Sequence, residues 1–131
     1  MADFATDLQV RFRDVDSMGH VNNAVYASYL EQARVEFYTE RLDADLATVD
    51  SVLAHLEIDY ERPIELGQAV RVTVDVPELG RTSIPMDYEV LADGAVAATA
   101  STVQVLWDRE TRETRPIPED WRARIESDGS Q

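Results

Sequence analysis

The spacing of apolar residues changes partway along this chain, and that change leaves few folds open. From Asn23 to about Arg41 the interval is helical: Val25, Tyr29, Ala33 and Phe37 lie four apart, with Tyr26, Leu30 and Val35 beside them. Glu31, Arg34, Glu36 and Glu40 supply the polar positions, and Asn22 or Asn23 suits the N-cap. Beyond Val52 the interval drops to two. Val52, Ala54, Leu56, Ile58 and Tyr60 alternate with Leu53, His55, Glu57, Asp59 and Glu61 until Pro63 breaks the run. Val70, Val72, Val74 and Val76 alternate with Arg71, Thr73 and Asp75, and Ile84, Met86, Tyr88 and Val90 make another strand, with Pro85 at an edge or bulge. Asp93-Gly94 signals a hairpin, and Ala95 to Trp107 is apolar or small on both faces, as in a strand covered on both sides. A first strand sets Leu8, Val10 and Phe12 against Gln9, Arg11 and Arg13. Five strands joined by short turns and one apolar helix stripe give an α+β protein, an antiparallel sheet curled around the helix. The 131 residues read as a single domain over 1–131, with about 6–118 as its core. Trp121 and Ile125 are spaced to dock one helical turn, and the residues from Ser127 to Gln131 read as frayed.

Charge and composition narrow the function. Twenty-six acidic residues against twelve basic ones leave a net −14, and all twelve basic residues are arginine. Such a field repels nucleic acid and anionic membranes, so neither is expected as a partner. It also repels a polyanionic ligand, unless molar salt shortens the Debye length to ~3 Å. An acidic surface with arginine in place of lysine is the composition of a halophile's cytoplasmic protein. Acidic residues stand where a signal peptide would be basic, and no apolar run is long enough to span a membrane, so a soluble cytoplasmic protein is expected. With no cysteine, a thiolate nucleophile and a Cys-based zinc site are excluded, and two histidines cannot build a His-rich centre.

The chemistry concentrates in Asp16-Ser17-Met18-Gly19-His20-Val21-Asn22-Asn23, between the first strand and the helix. A carboxylate here lies beside the free N–H groups and positive dipole end of a helix N-terminus, which suits a carbonyl oxygen turning anionic. Two plainer readings compete. Asp16 and His20 can simply tie down a turn around Gly19. Asp14, Asp16 and Gly19 also imitate the start of a calcium loop, but Met18 and Val25 stand where that loop needs an oxygen ligand and a bidentate Glu. A divalent site on Asp14, Asp16 and His20 is the metal alternative. His55, on the polar side of its strand, reads as structural.

The eight-residue block resembles the signature of the hotdog-fold acyl-CoA thioesterases, the 4-hydroxybenzoyl-CoA thioesterase family. Ala24-Val25-Tyr26-Ala27-Ser28-Tyr29-Leu30-Glu31-Gln32-Ala33-Arg34 is similar to that family's central helix. Ile58-Asp59-Tyr60-Glu61-Arg62-Pro63 with Gly67 is similar to its second strand and turn, and Gly80-Arg81-Thr82-Ser83 to the start of its fourth element. The resemblance implies a hotdog fold and hydrolysis of an acyl-CoA to an acid and free coenzyme A, with no metal or cofactor. It makes Asp16 the nucleophile or general base, the Asn23 N–H the oxyanion donor, and His20 a residue orienting Asp16 or the substrate. It draws substrate contacts from Gly19, Asn22, Tyr26, Arg81 and Thr82, with Arg81 suited to a coenzyme A phosphate because guanidinium binds phosphate bidentately. Met18 stands where the plant acyl-carrier-protein thioesterases use an asparagine, which favours a single-carboxylate scheme. Another branch carries its carboxylate on the helix, so Glu31 is the fallback. A homodimer or homotetramer is expected, its sheets joined edge to edge at the apolar Ala95 to Trp107 strand. The competing functions are a non-catalytic acyl-CoA-binding protein and a hotdog hydratase or dehydratase.

Overall fold

A computed structural model describes residues 4–46 and 48–129. The chain runs through β1 (Phe4–Gln9), a 3-10 turn (Phe12–Asp14), α1 (Val25–Arg41), β2 (Ser51–Tyr60), β3 (Ala69–Asp75) and β4 (Ser83–Ala92). It ends with β5 (Ala95–Asp108), β6 (Glu113–Thr114) and α2 (Glu119–Gly129). The antiparallel sheet has the order β1-β3-β4-β5-β2, and the two-residue β6 adds a sixth strand at the far end of β5. One long helix against a curled antiparallel sheet is the hotdog fold, so the α+β architecture stands, with a sixth short strand and a second helix added.

The expected alternations appear as buried faces. Val70, Val72, Val74, Ile84, Met86, Tyr88 and Val90 point at α1, which turns Leu30, Ala33 and Phe37 toward them. Asp93 and Gly94 take the hairpin between β4 and β5 with both φ angles positive, as a two-residue primed turn requires. Pro85 lies past the last β3–β4 pair, Asp75↔Asp87, where β4 is locally an edge and a missing N–H costs no ladder bond on that side.

Five local expectations are corrected. β1 ends at Gln9, and Phe12 sits 81% exposed in the 3-10 turn. α1 starts at Val25 with Ala24 as its N-cap, because Asn22 uses its Oδ1 to accept from the Ala24 N–H two residues before the helix proper. Arg34, read as a polar surface position, is 5% exposed, since it falls on the core stripe between Leu30 and Tyr38. β5 is an interior strand with β4 along one edge and β2 along the other, and its faces alternate between buried and half-buried, so it is neither a free edge nor a strand buried on both faces. α2 continues through Ser127 to Gly129, and Ser130 and Gln131 lie outside the described residues.

The edges of the sheet are therefore β1 and β2, of which β2 is the longer. β2 carries a bulge at Ala54, between the pairs Leu53↔Gln104 and His55↔Val103. The extra residue shifts the alternation, so Leu53 and Leu56 pair with the buried residues Gln104 and Thr102 and share their face. Both leucines and Tyr60 stay 40–47% exposed, because α1 packs chiefly on β1 and β3 and leaves this end of the sheet uncovered.

Candidate active site

The loop between β1 and α1 is held from both sides. Val15 bridges Val21, the Asn22 N–H donates to the Asp14 carbonyl at 2.8 Å, and the Asp16 N–H donates to the His20 carbonyl at 2.8 Å. From outside, the Val21 N–H donates to the Ile64 carbonyl at 2.7 Å, and the Tyr60 hydroxyl donates to the Asn23 carbonyl at 2.7 Å. The Tyr60 ring stands edge-on to Tyr26, centroids 4.9 Å apart. Tyr60 and Ile64, to which sequence reasoning gave no site role, thus fix the entry to α1. The signal was present in the Tyr60-Glu61-Arg62-Pro63 run, which breaks a strand just where a neighbouring loop can be tied.

Asp16 is exposed at the tip of this loop. Its Oδ1 accepts from the Met18 N–H at 2.9 Å and the His20 N–H at 3.2 Å, leaving Oδ2 without a partner among the described residues. One oxygen positions the carboxylate and the other is available, an arrangement that can attack a carbonyl or take a proton from water. Gly19 makes the tip possible with φ +80, and its missing Cβ would meet nothing within 4 Å. Gly19→Val should therefore cost about 1–2 kcal/mol through backbone strain rather than collision, read as a lowered urea midpoint.

The Asn23 N–H, one residue beyond the Asp14–Asn22 pair, has no acceptor among the described residues. His20 reaches Asp16 through its backbone N–H, while its ring faces Glu65, with Nε2 and Oε2 3.8 Å apart. Tyr26 is 2% exposed, behind the loop and in the core, so it supports the site through Tyr60. Asp14 is engaged by the Tyr29 hydroxyl at 3.0 Å and the Arg11 N–H at 2.8 Å. Burial and that bond to Asp14 raise the Tyr29 pKa, so it stays a neutral donor. Among the described residues no group of three or more His, Cys, Asp or Glu could hold a metal. Arg81 and Thr82 lie elsewhere: Ser83, the next residue, pairs with Val105, whereas Tyr60 at the Asp16 end pairs with Ala98. Seven residues of β5 separate these levels, about 23 Å. The exposed Arg11 and Arg13 are the cations that precede the loop itself.

The fold and the loop define the hotdog thioester hydrolases. Residues 10–125 match the Thioesterase-like superfamily, and the chain belongs to it. It is 29% identical over 130 residues to the 1,4-dihydroxy-2-naphthoyl-CoA hydrolase of Synechococcus elongatus, covering 92% of this chain and 96% of that one. It is 28% identical over 126 residues to the long-chain acyl-CoA thioesterase FadM of Escherichia coli, with the same coverage. Among solved structures, a Thermus thermophilus thioesterase complexed with coenzyme A and Zn superposes with a TM-score of 0.90 at 38% identity, covering 99% of this chain and 96% of that one.

Proposed function

We propose that the chain hydrolyses acyl-CoA thioesters, with Asp16 as nucleophile or general base and the Asn23 N–H stabilising the oxyanion. The carrying observation is the half-engaged Asp16 carboxylate, pinned through Oδ1 and open at Oδ2 on the loop that enters α1. The coenzyme A bound by the Thermus relative supports the choice of thioester. Thiol release from a panel of acyl-CoA esters in molar salt tests it, and a chain without cysteine adds no thiol background to the colour reaction. Saturable binding without thiol release would instead mean an acyl-CoA-binding protein.

The working form is a dimer in a salt-rich cytoplasm. β2 presents an unpaired backbone edge together with exposed Val52, Leu53, Leu56 and Tyr60, a combination that an isolated chain leaves prone to pairing. Two such edges joined antiparallel set the Ser51 end of one chain beside the Tyr60 end of the other. Arg81, far from Asp16 within its own chain, then approaches the partner's loop. Light scattering in high salt should give at least twice the 14.8 kDa chain mass; active protein at the monomer mass contradicts this arrangement.

Glu31 offers a second reading, because it lines a cavity of about 510 Å³ between α1 and the β2–β5 end of the sheet. Glu31→Gln and Asp16→Asn assayed side by side separate the two.

A further inference from the structure

The same cavity contains a cation that the fold does not neutralise. Arg34 is 5% exposed and forms no ion pair among the described residues. Its Nη1 donates to the Tyr88 hydroxyl at 3.3 Å, and its Nε has no hydrogen-bond partner. Burial raises the Tyr88 pKa, so that side chain remains a neutral phenol shared with Thr102 and supplies no countercharge. Gln104, 7% exposed, donates from Nε2 to the Ser51 hydroxyl at 2.9 Å, and its Oε1 is likewise unpartnered. Arg34 and Gln104 both line the cavity, with Leu53 and Trp107 among its apolar walls. Of its carboxylates, Asp50 is held by Arg109 at 2.7 Å and Glu31 is exposed. A buried guanidinium without an anion is costly, and a polar atom buried without a bond adds to that cost. Two residues carrying such atoms line one space of ligand size, which marks a site built for something that enters it.

We propose that the Arg34–Gln104 cavity receives the far end of the acyl group and selects acyl groups ending in an anionic oxygen, a carboxylate or an ionised phenol. The Arg34 guanidinium, on a side chain that lines the cavity, donates to that oxygen. Gln104 lines the same cavity, and rotation of its amide exchanges N–H for oxygen at the unpartnered position. The inference rests on the thioesterase reading and on the β2-joined dimer. Asn23 and Arg34 are eleven residues apart, about 16 Å along a helix, too far for a short acyl group in one chain. Antiparallel pairing of two β2 strands brings the cavity of one chain toward the Asp16 loop of the other.

The test separates binding from chemistry. In wild-type protein, the Arg34 Nε–H resonance should shift on titration with hexanoate or with 4-nitrophenolate at pH 8, and the stronger of the two identifies the oxygen. Hexan-1-ol, of the same length without charge, should move it far less. In the thiol-release assay, adipoyl-CoA should exceed hexanoyl-CoA in kcat/KM by about tenfold or more, roughly what one charged hydrogen bond gives. Arg34→Met should bring that ratio to about one, and Arg34→Lys should keep part of it. An unshifted Nε–H with both anions overturns the proposal, and so does equal kcat/KM for the two esters in wild-type protein. Anion binding at Arg34 without thiol release from any ester would keep the anion site, remove its acyl assignment and overturn the thioesterase reading.

Discussion

Asp16→Asn should lower the turnover of acyl-CoA esters by about 10²–10⁴, the usual contribution of a positioned acid–base group, with substrate binding retained. The substitution is a clean one in this structure. The carbonyl oxygen of Asn can accept the same two bonds from the Met18 and His20 N–H groups, so the loop keeps its shape. What is lost is the charge at Oδ2. Asp14, two residues away and of equal charge, does not serve as a control, because its carboxylate holds Tyr29 and the Arg11 backbone. Glu78→Gln, on an exposed turn, is the better comparison. Near-normal hydrolysis by Asp16→Asn transfers the chemistry to Glu31 or ends the thioesterase reading.

The melting temperature should climb steeply from low to molar potassium chloride. Two effects compete. Salt weakens surface pairs such as Arg71–Asp7 and Arg109–Asp50, where the arginine holds the carboxyl pKa below its usual value. It also relieves repulsion among the remaining carboxylates. Twelve arginines can neutralise at most twelve of the twenty-six acids, so at least fourteen charges are left to repel one another. Raising ionic strength from 0.1 M to 1 M shortens the Debye length from about 10 Å to about 3 Å, and the unmatched majority gains more than the pairs lose. Differential scanning calorimetry across that range is the measurement, and a flat melting temperature removes the halophilic reading.

Periodicity was enough to recover the helix, the hairpin and the strand faces, because half-buried elements print their burial directly onto the spacing of apolar residues. It failed where spacing and burial part company. β5 is paired along both edges, and its small and apolar residues alone did not distinguish an interior strand from an edge awaiting a partner. The Ala54 bulge shifts Leu53 out of the phase its spacing suggests. Arg34 looked like a surface charge because arginine usually is one, although Leu30 four residues before and Tyr38 four after put it on the core stripe. The Asp16 block was legible because a carboxylate, a glycine and two asparagines before a helix leave few geometries. The tie from Tyr60 was not, since it joins residues thirty-seven apart in sequence.

If two chains join through β2 as proposed, that tie gives the assembly a part in ligand affinity. Tyr60 closes the strand through which two chains are proposed to join, and its hydroxyl anchors the carbonyl of Asn23, whose N–H is proposed to meet the substrate. Whatever free energy pairing spends on ordering the end of β2 is also spent on the loop. Thermodynamic linkage makes the exchange reciprocal: a ligand that steadies the loop tightens the dimer by the factor with which the dimer tightens the ligand. Dilution then acts as an inhibitor, weakening binding before any chain unfolds, and saturating ligand restores the pair.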